Sequence, residues 1–214
     1  MRSSPAACHH RGVGSEEKPY RQVRAAYTES TIRVYQAYPA EIAEAALAAG
    51  TFVPPFKRGR MTWVKSSFLW MAYRCGYASK TGQERVLGVD IRREGFHWAV
   101  RRAVLSHFDA AVDGDHATWS ARVAGSPVRV QWDPERGLRH EALGHRSLQL
   151  GLSGEAVRRY VDEWIVGITD VTPVMLEVGR LVRGGELKRA RELVPRERVY
   201  PLGEGDFGAV TAGG

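Results

Sequence analysis

Apolar residues recur along the chain at two spacings, which predict strands and helices that interleave early and segregate late. Thr31-Ile32-Arg33-Val34-Tyr35-Gln36-Ala37-Tyr38 is rich in β-branched and aromatic residues and reads as a strand. Ile32, Val34, Gln36 and Tyr38 share one face of it, so Gln36 carries an amide into the apolar side and needs partners, from a neighbouring loop or from a ligand. Pro39 and Gly50 bracket a helix with Ile42, Ala45, Ala46 and Ala49 at helical spacing. A short strand over residues 61–64 leads to Ser66-Ser67, a helix cap, and then to the run 68–73, apolar on nearly every side and so expected to be buried.

Beyond Gly76 the strand 85–91 is mostly apolar and expected to be central. Phe96, Ala99, Val100, Ala103, Val104 and His107 mark a helix face. Residues 128–132 alternate as a strand, followed by a turn at 133–137, and residues 146–152 alternate with Leu148, Leu150 and Leu152 inward. Ser153 then heads a helix whose stripe is Ala156, Val157, Tyr160, Val161, Trp164, Ile165 and Ile168. Further helices are expected over 173–182 and 187–193. Near the start, Arg21 and Arg24 are three apart and would share a face in a helical turn. Strand and helix order favours an α+β fold, a single domain with a mixed β-sheet and flanking helices.

The domain is expected over 20–193, with a disordered N-terminal tail over 1–19 and a loosely ordered C-terminal tail over 194–214. Charged residues are 26% and hydrophobic residues 43% of the 214, ordinary for a soluble globular protein. The formal net charge of +7 suits an anionic ligand, a dinucleotide or a nucleic acid, and is equally what an arginine-rich genome composition would give. Cys8 and Cys75 are the only cysteines, too few for a disulfide framework or a zinc site, and His9-His10 lacks further ligands, so no metal is expected. No apolar run of about 18 residues spans a membrane, and the N-terminus lacks the apolar core of a signal peptide, which makes the cytoplasm the expected location.

The chemistry concentrates in residues 56–76. Lys57, Arg58, Arg60 and Lys65 cluster ahead of the cap at Ser66-Ser67, and free N–H groups with the helix dipole would add to their charge. Lys57, Arg60, Lys65 and the serine turn are therefore expected to form a phosphate-binding pocket. The same cations interleaved with Trp63, Trp70, Tyr73 and Tyr77 would also track a nucleic-acid backbone and stack bases.

The segments 21–25, 34–38, 52–70, 83–87 and 146–152 resemble a bacterial and fungal family catalogued as a domain of unknown function, over roughly Tyr20 to Leu193. Ser66 stands where that family would have proline. The order strand, helix, strand ending in Ser66-Ser67, helix, strand is also similar to the front half of ADP-ribosyltransferases. That resemblance implies an enzyme using NAD to modify a nucleic acid or a small acceptor. It implies that Gln36 or Tyr38 stands where those enzymes hold the ribose with His or Arg, and Ser66-Ser67 where they brace the nicotinamide. Gln149 stands where they often carry a catalytic Glu, and Glu84 and Glu163 are the other carboxylates considered for that role. Arg24, Arg60, Lys65 and Arg146 would hold the pyrophosphate while Trp63 or Tyr38 stacks on a ring. The alternative is a nucleic-acid-binding or RNA-processing protein without NAD chemistry.

Overall fold

A computed structural model describes residues 20–203. In chain order the elements are β1 (Arg24–Ala25), β2 (Thr31–Tyr38), α1 (Ala40–Ala49), β3 (Thr62–Lys65), α2 (Phe68–Cys75), β4 (Arg85–Arg92), α3 (Arg93–Arg102), β5 (Ala103–Leu105), α4 (Ala110–Asp113), α5 (His116–Gly125), β6 (Val128–Arg136), β7 (Ala142–Leu152), α6 (Glu155–Arg159), a π-helical turn (Tyr160–Trp164), β8 (Ile165–Asp170), α7 (Thr172–Arg183), α8 (Leu187–Leu193) and β9 (Arg198–Val199). Seven strands form one sheet in the order β5-β6-β7-β3-β2-β4-β8, and β1 pairs with β9 in a second, two-stranded one. Only β5 and β6 run parallel, so the large sheet is mixed and the fold is a single α+β domain.

Alternation along β2 sends Ile32 and Val34 to one face of the sheet and Tyr35 to the other. The first face packs under α1, α3 and α6 with Val64, Leu148, Leu150 and Leu152. On the opposite face Tyr35 meets Phe68 and Met71 of α2, and Met175 and Val178 of α7 complete that core. Gly50 and Gly76 end α1 and α2 with φ of 69° and 59°, a conformation open to glycine at no steric cost.

Four sequence expectations change. The helix read over 96–107 ends at Arg102, and Ala103–Leu105 leaves it to pair with β6 at the sheet edge. The turn expected at 133 comes later, because β6 runs on to Arg136. Ile165 and Ile168 sit on β8 opposite β4, since the π-helical turn ends the helix first. Arg21 and Arg24 are extended, bridged to Arg146 and to Val199, and share no helical face.

Strand β4 is the second strand from an edge, covered on one side by β2 and on the other by β8. The loose tail expected from 194 is docked in its described part: β9 pairs with β1, the Tyr200 N–H donates to the Val23 carbonyl at 2.9 Å, and Tyr200 is buried. The expected N-terminal tail, His9-His10 and Cys8 lie outside the described residues. Among the described residues no helix is long and apolar enough to cross a membrane.

Candidate functional site

Strand β2 pairs with β4 at eight register positions but with β3 at one, Tyr35↔Lys65. Past that pair the two strands diverge, and side chains bridge the gap where ladder bonds would stand. The Gln36 amide Nε2 donates to Thr62 Oγ1 at 2.7 Å and to the Trp63 carbonyl at 3.1 Å, and it also meets Tyr38 Oη at 2.9 Å. Tyr160 Oη donates to Gln36 Oε1 at 2.7 Å. Burial pushes the Tyr38 phenol up to about 12, against the effect of its bond to Thr62, and burial likewise raises Tyr160. Gln36 thus has its hydrogen-bonding groups engaged within the protein. Its role is to tie the two diverging strands together, which accounts for a buried amide without a ligand.

A cavity of about 540 Å³ opens at this divergence. Four cations line it, Lys57, Arg60, Lys65 and Arg74, against one acid, Glu41. Trp63 and Tyr38 contribute ring surface. The Trp63 ring lies over Gly151 of β7, where a Cβ would come within 2.9 Å of it. The exposed loop between α1 and β3 carries Lys57 and Arg60, whereas Lys65 is buried at the end of β3. Its ammonium lies 5.0 Å from the centre of the Trp70 ring. Burial first, and then the charge of Arg74, pull Lys65 down to about 8, with Asp133 opposing. Asp133 is held by the Gln131 amide at 2.9 Å and by the Gln149 amide on the adjacent strand. Gln149 therefore orients a carboxyl group instead of replacing one.

The serine turn is separate from this cavity. Ser67 Oγ caps α2 by accepting from the Trp70 N–H at 3.1 Å and donates to Glu135 Oε1 at 2.9 Å. The Phe68 N–H donates to Glu197 Oε1 at 2.7 Å. The start of α2 is thus filled by the chain's own carboxyl group, and the expected pocket of Lys57, Arg60, Lys65 and Ser66-Ser67 divides into an open cation cavity and a closed cap. Burial foremost, then Glu135, push Glu197 up to about 8, opposed by the Phe68 N–H and by Arg24. Ser66 is buried with its hydroxyl unpartnered.

The remaining candidates are dispersed. Arg24 bonds Gln22 and the Glu197 carbonyl, fastening the C-terminal segment. Arg146 lines a different cavity with Arg21 and Trp132. Glu84 is exposed and accepts from the Gly82 N–H in its own loop, and Glu163 is paired with Arg158 and Arg159. Arg74, Asp133, Glu135 and Glu197 were not singled out in the sequence. Arg74 falls in the stretch 56–76 and is legible there as a fifth cation, while the acids lie in the expected turn over 133–137 and the expected tail from 194.

The chain belongs to the family described as domain of unknown function (DUF4291), which matches residues 22–200. No protein of curated function matches it.

Proposed function

We propose that the cavity between β2 and β3 binds NAD and that the chain transfers ADP-ribose from it to a nucleic acid or a small acceptor. The observation carrying this reading is the convergence of Lys57, Arg60, Lys65 and Arg74 with the Trp63 and Tyr38 rings around one space of about 540 Å³. Volumes of roughly 300–1,000 Å³ are usual for small-molecule sites. Cations on flexible stems suit the pyrophosphate, and a ring held against Gly151 suits stacking with a base or nicotinamide.

Cleavage of the nicotinamide–ribose bond passes through an oxocarbenium-like state, stabilised by fixing the pyrophosphate and by a nearby carboxylate. Glu41, the one acid that lines the cavity, is the group we assign to that role. Neither Gln36 nor the serine turn takes part, because their polar groups are engaged internally or closed off from the cavity.

Incubation of the protein with NAD and with RNA, DNA or protein acceptors, followed by assay of nicotinamide release and mass spectrometry of the acceptors, tests the reading. Release of nicotinamide with a gain of ADP-ribose on an acceptor supports it. NAD left intact, beside RNA binding that weakens steeply with salt, would favour the nucleic-acid reading. That second reading draws on Lys57, Arg58 and Arg60, which lie exposed together on one loop.

A further inference from the structure

Lys57 and Arg60 belong to the β2–β3 cavity through their exposed loop and Arg74 through the last turn of α2, whereas Lys65 enters it from the end of β3 and is 7% exposed. Strand register explains the burial. Lys65 pairs with Tyr35 on one side and with Gln149 on the other, so its side chain rises on the face that α2 covers. There its Nζ lies 5.0 Å from the centre of the Trp70 ring. Among the described residues this Nζ has no hydrogen bond and no ion pair, yet it keeps accessible surface, in contrast to the sealed Ser66 hydroxyl next to it in the chain. A buried lysine is seldom left unpaired. One that lines an open cavity in that state calls for a reason.

A lysine that serves only to brace a fold sits against a carboxylate. Lys65 instead has burial and the charge of Arg74 set against its own, which pull it down to about 8 from the ordinary 10.5. At pH 7 about one such amine in ten is neutral, against about one in three thousand at the ordinary value. Desolvation and a neighbouring cation are two ways in which a lysine becomes a nucleophile toward a carbonyl carbon. Lys57 and Arg60 are placed otherwise, on flexible stems in the exposed loop, where they suit a phosphate. The Trp63 and Tyr38 rings add flat apolar surface to the same space.

We propose that the Lys65 amine forms an imine with a phosphorylated aldehyde whose phosphate is held by Lys57 and Arg60. The Nζ lone pair attacks the carbonyl carbon, and a C–N bond forms. One proton moves from the nitrogen to the carbonyl oxygen, giving a carbinolamine. That oxygen then leaves as water with the second nitrogen proton, and C=N remains. Amine and aldehyde thus give imine and water, and no oxidant or reductant is consumed. Glu41, which lines the cavity, is available to carry the protons. The reaction uses no NAD. It shares a cavity with the transfer proposed above, and either can fail without the other.

Pyridoxal 5′-phosphate and pyridoxal, one aromatic aldehyde with and without a phosphate, are the probes. Each is incubated with the full chain at pH 7 and sodium cyanoborohydride, whose hydride reduces the imine to a stable secondary amine. Peptide mass spectrometry then maps the modified lysines. Lys57, Lys80 and Lys188 are exposed and serve as references within the same sample. Lys65 should gain the phosphorylated adduct at least about tenfold faster than these three. That preference should fall several-fold with pyridoxal, and equally with the phosphorylated probe in Arg60→Ala. Labelling of Lys65 no faster than the exposed lysines overturns the proposal. A preference as strong for pyridoxal as for its phosphate overturns it too, as does one unchanged in a folded Arg60→Ala. Should Arg60→Ala fail to fold, the comparison of the two probes on the parent protein decides alone.

Discussion

Phe68 and Glu197 meet at 2.7 Å across 129 residues of chain, the Phe68 N–H donating to the Glu197 carboxyl. This contact fastens the C-terminal segment to the start of α2 and places an acid where a bound phosphate would otherwise lie. Its energetics depend on pH. The folded-state value of about 8 lies above the ordinary 4.5, so the folded protein holds a proton that the unfolded chain releases between those limits. Stability from this group is complete below the lower value and is lost as pH rises through the upper one. Glu197→Gln should therefore melt higher than the parent at pH 9 and close to it at pH 5. Thermal unfolding at the two pH values checks this, and a difference of the same size at both would count against it.

Lys65 behaves in the opposite sense. Its folded-state value of about 8 lies below the ordinary 10.5, so a buried charge weighs on the fold below pH 8 and is relieved as pH climbs between those values. An anion in the cavity restores the charge, so binding takes up a proton. Affinity for a dinucleotide should fall as pH rises from 7 to 9.5, and Lys65→Met should bind weakly with little of that slope. Calorimetry in buffers of different ionisation enthalpy reads the proton uptake directly.

Gln36→Leu should unfold at lower denaturant, with a loss of about 3 kcal/mol, because Tyr160, Thr62 and the Trp63 carbonyl all lose their common partner. The folded fraction should still bind NAD. A variant that keeps its stability and loses only turnover would return Gln36 to the reaction.

The legible part of this architecture is the local part. Strand β2, helix α1 with its Pro39 and Gly50 boundaries, and α2 with its Ser67 cap were all readable, because alternation, spacing and capping act over a few residues. The cations of the cavity were equally legible, since Lys57, Arg60 and Lys65 are neighbours in sequence. Helical phase misled at Ile165 and Ile168, which continue the stripe of α6 although the π-helical turn has already released the chain into β8. Nothing local announces that Glu197 occupies the cap of α2, that Asp133 stands against Gln149, or that Arg21 and Trp132 share a cavity. Each depends on strands paired across long stretches of chain.

The Trp63 ring depends on the absence of a side chain at Gly151. Gly151→Ala places a methyl within 2.9 Å of the ring and of Met61 Sδ, so the ring must move. Overpacking of this kind costs about 1–3 kcal/mol. Nucleotide affinity should fall several-fold along with it, and the tryptophan emission should change. Unaltered affinity would mean that Trp63 does not stack on the ligand.

Calorimetric titration of NAD into the parent and into a Lys57→Ala/Arg60→Ala double variant tests the account most directly. Both residues are exposed on the loop ahead of β3, so the two proteins should melt together. The parent should bind one NAD, and the double variant should bind it at least about tenfold more weakly. Equal affinity in the two proteins, or no binding by the parent, would contradict the assignment of this cavity to a dinucleotide.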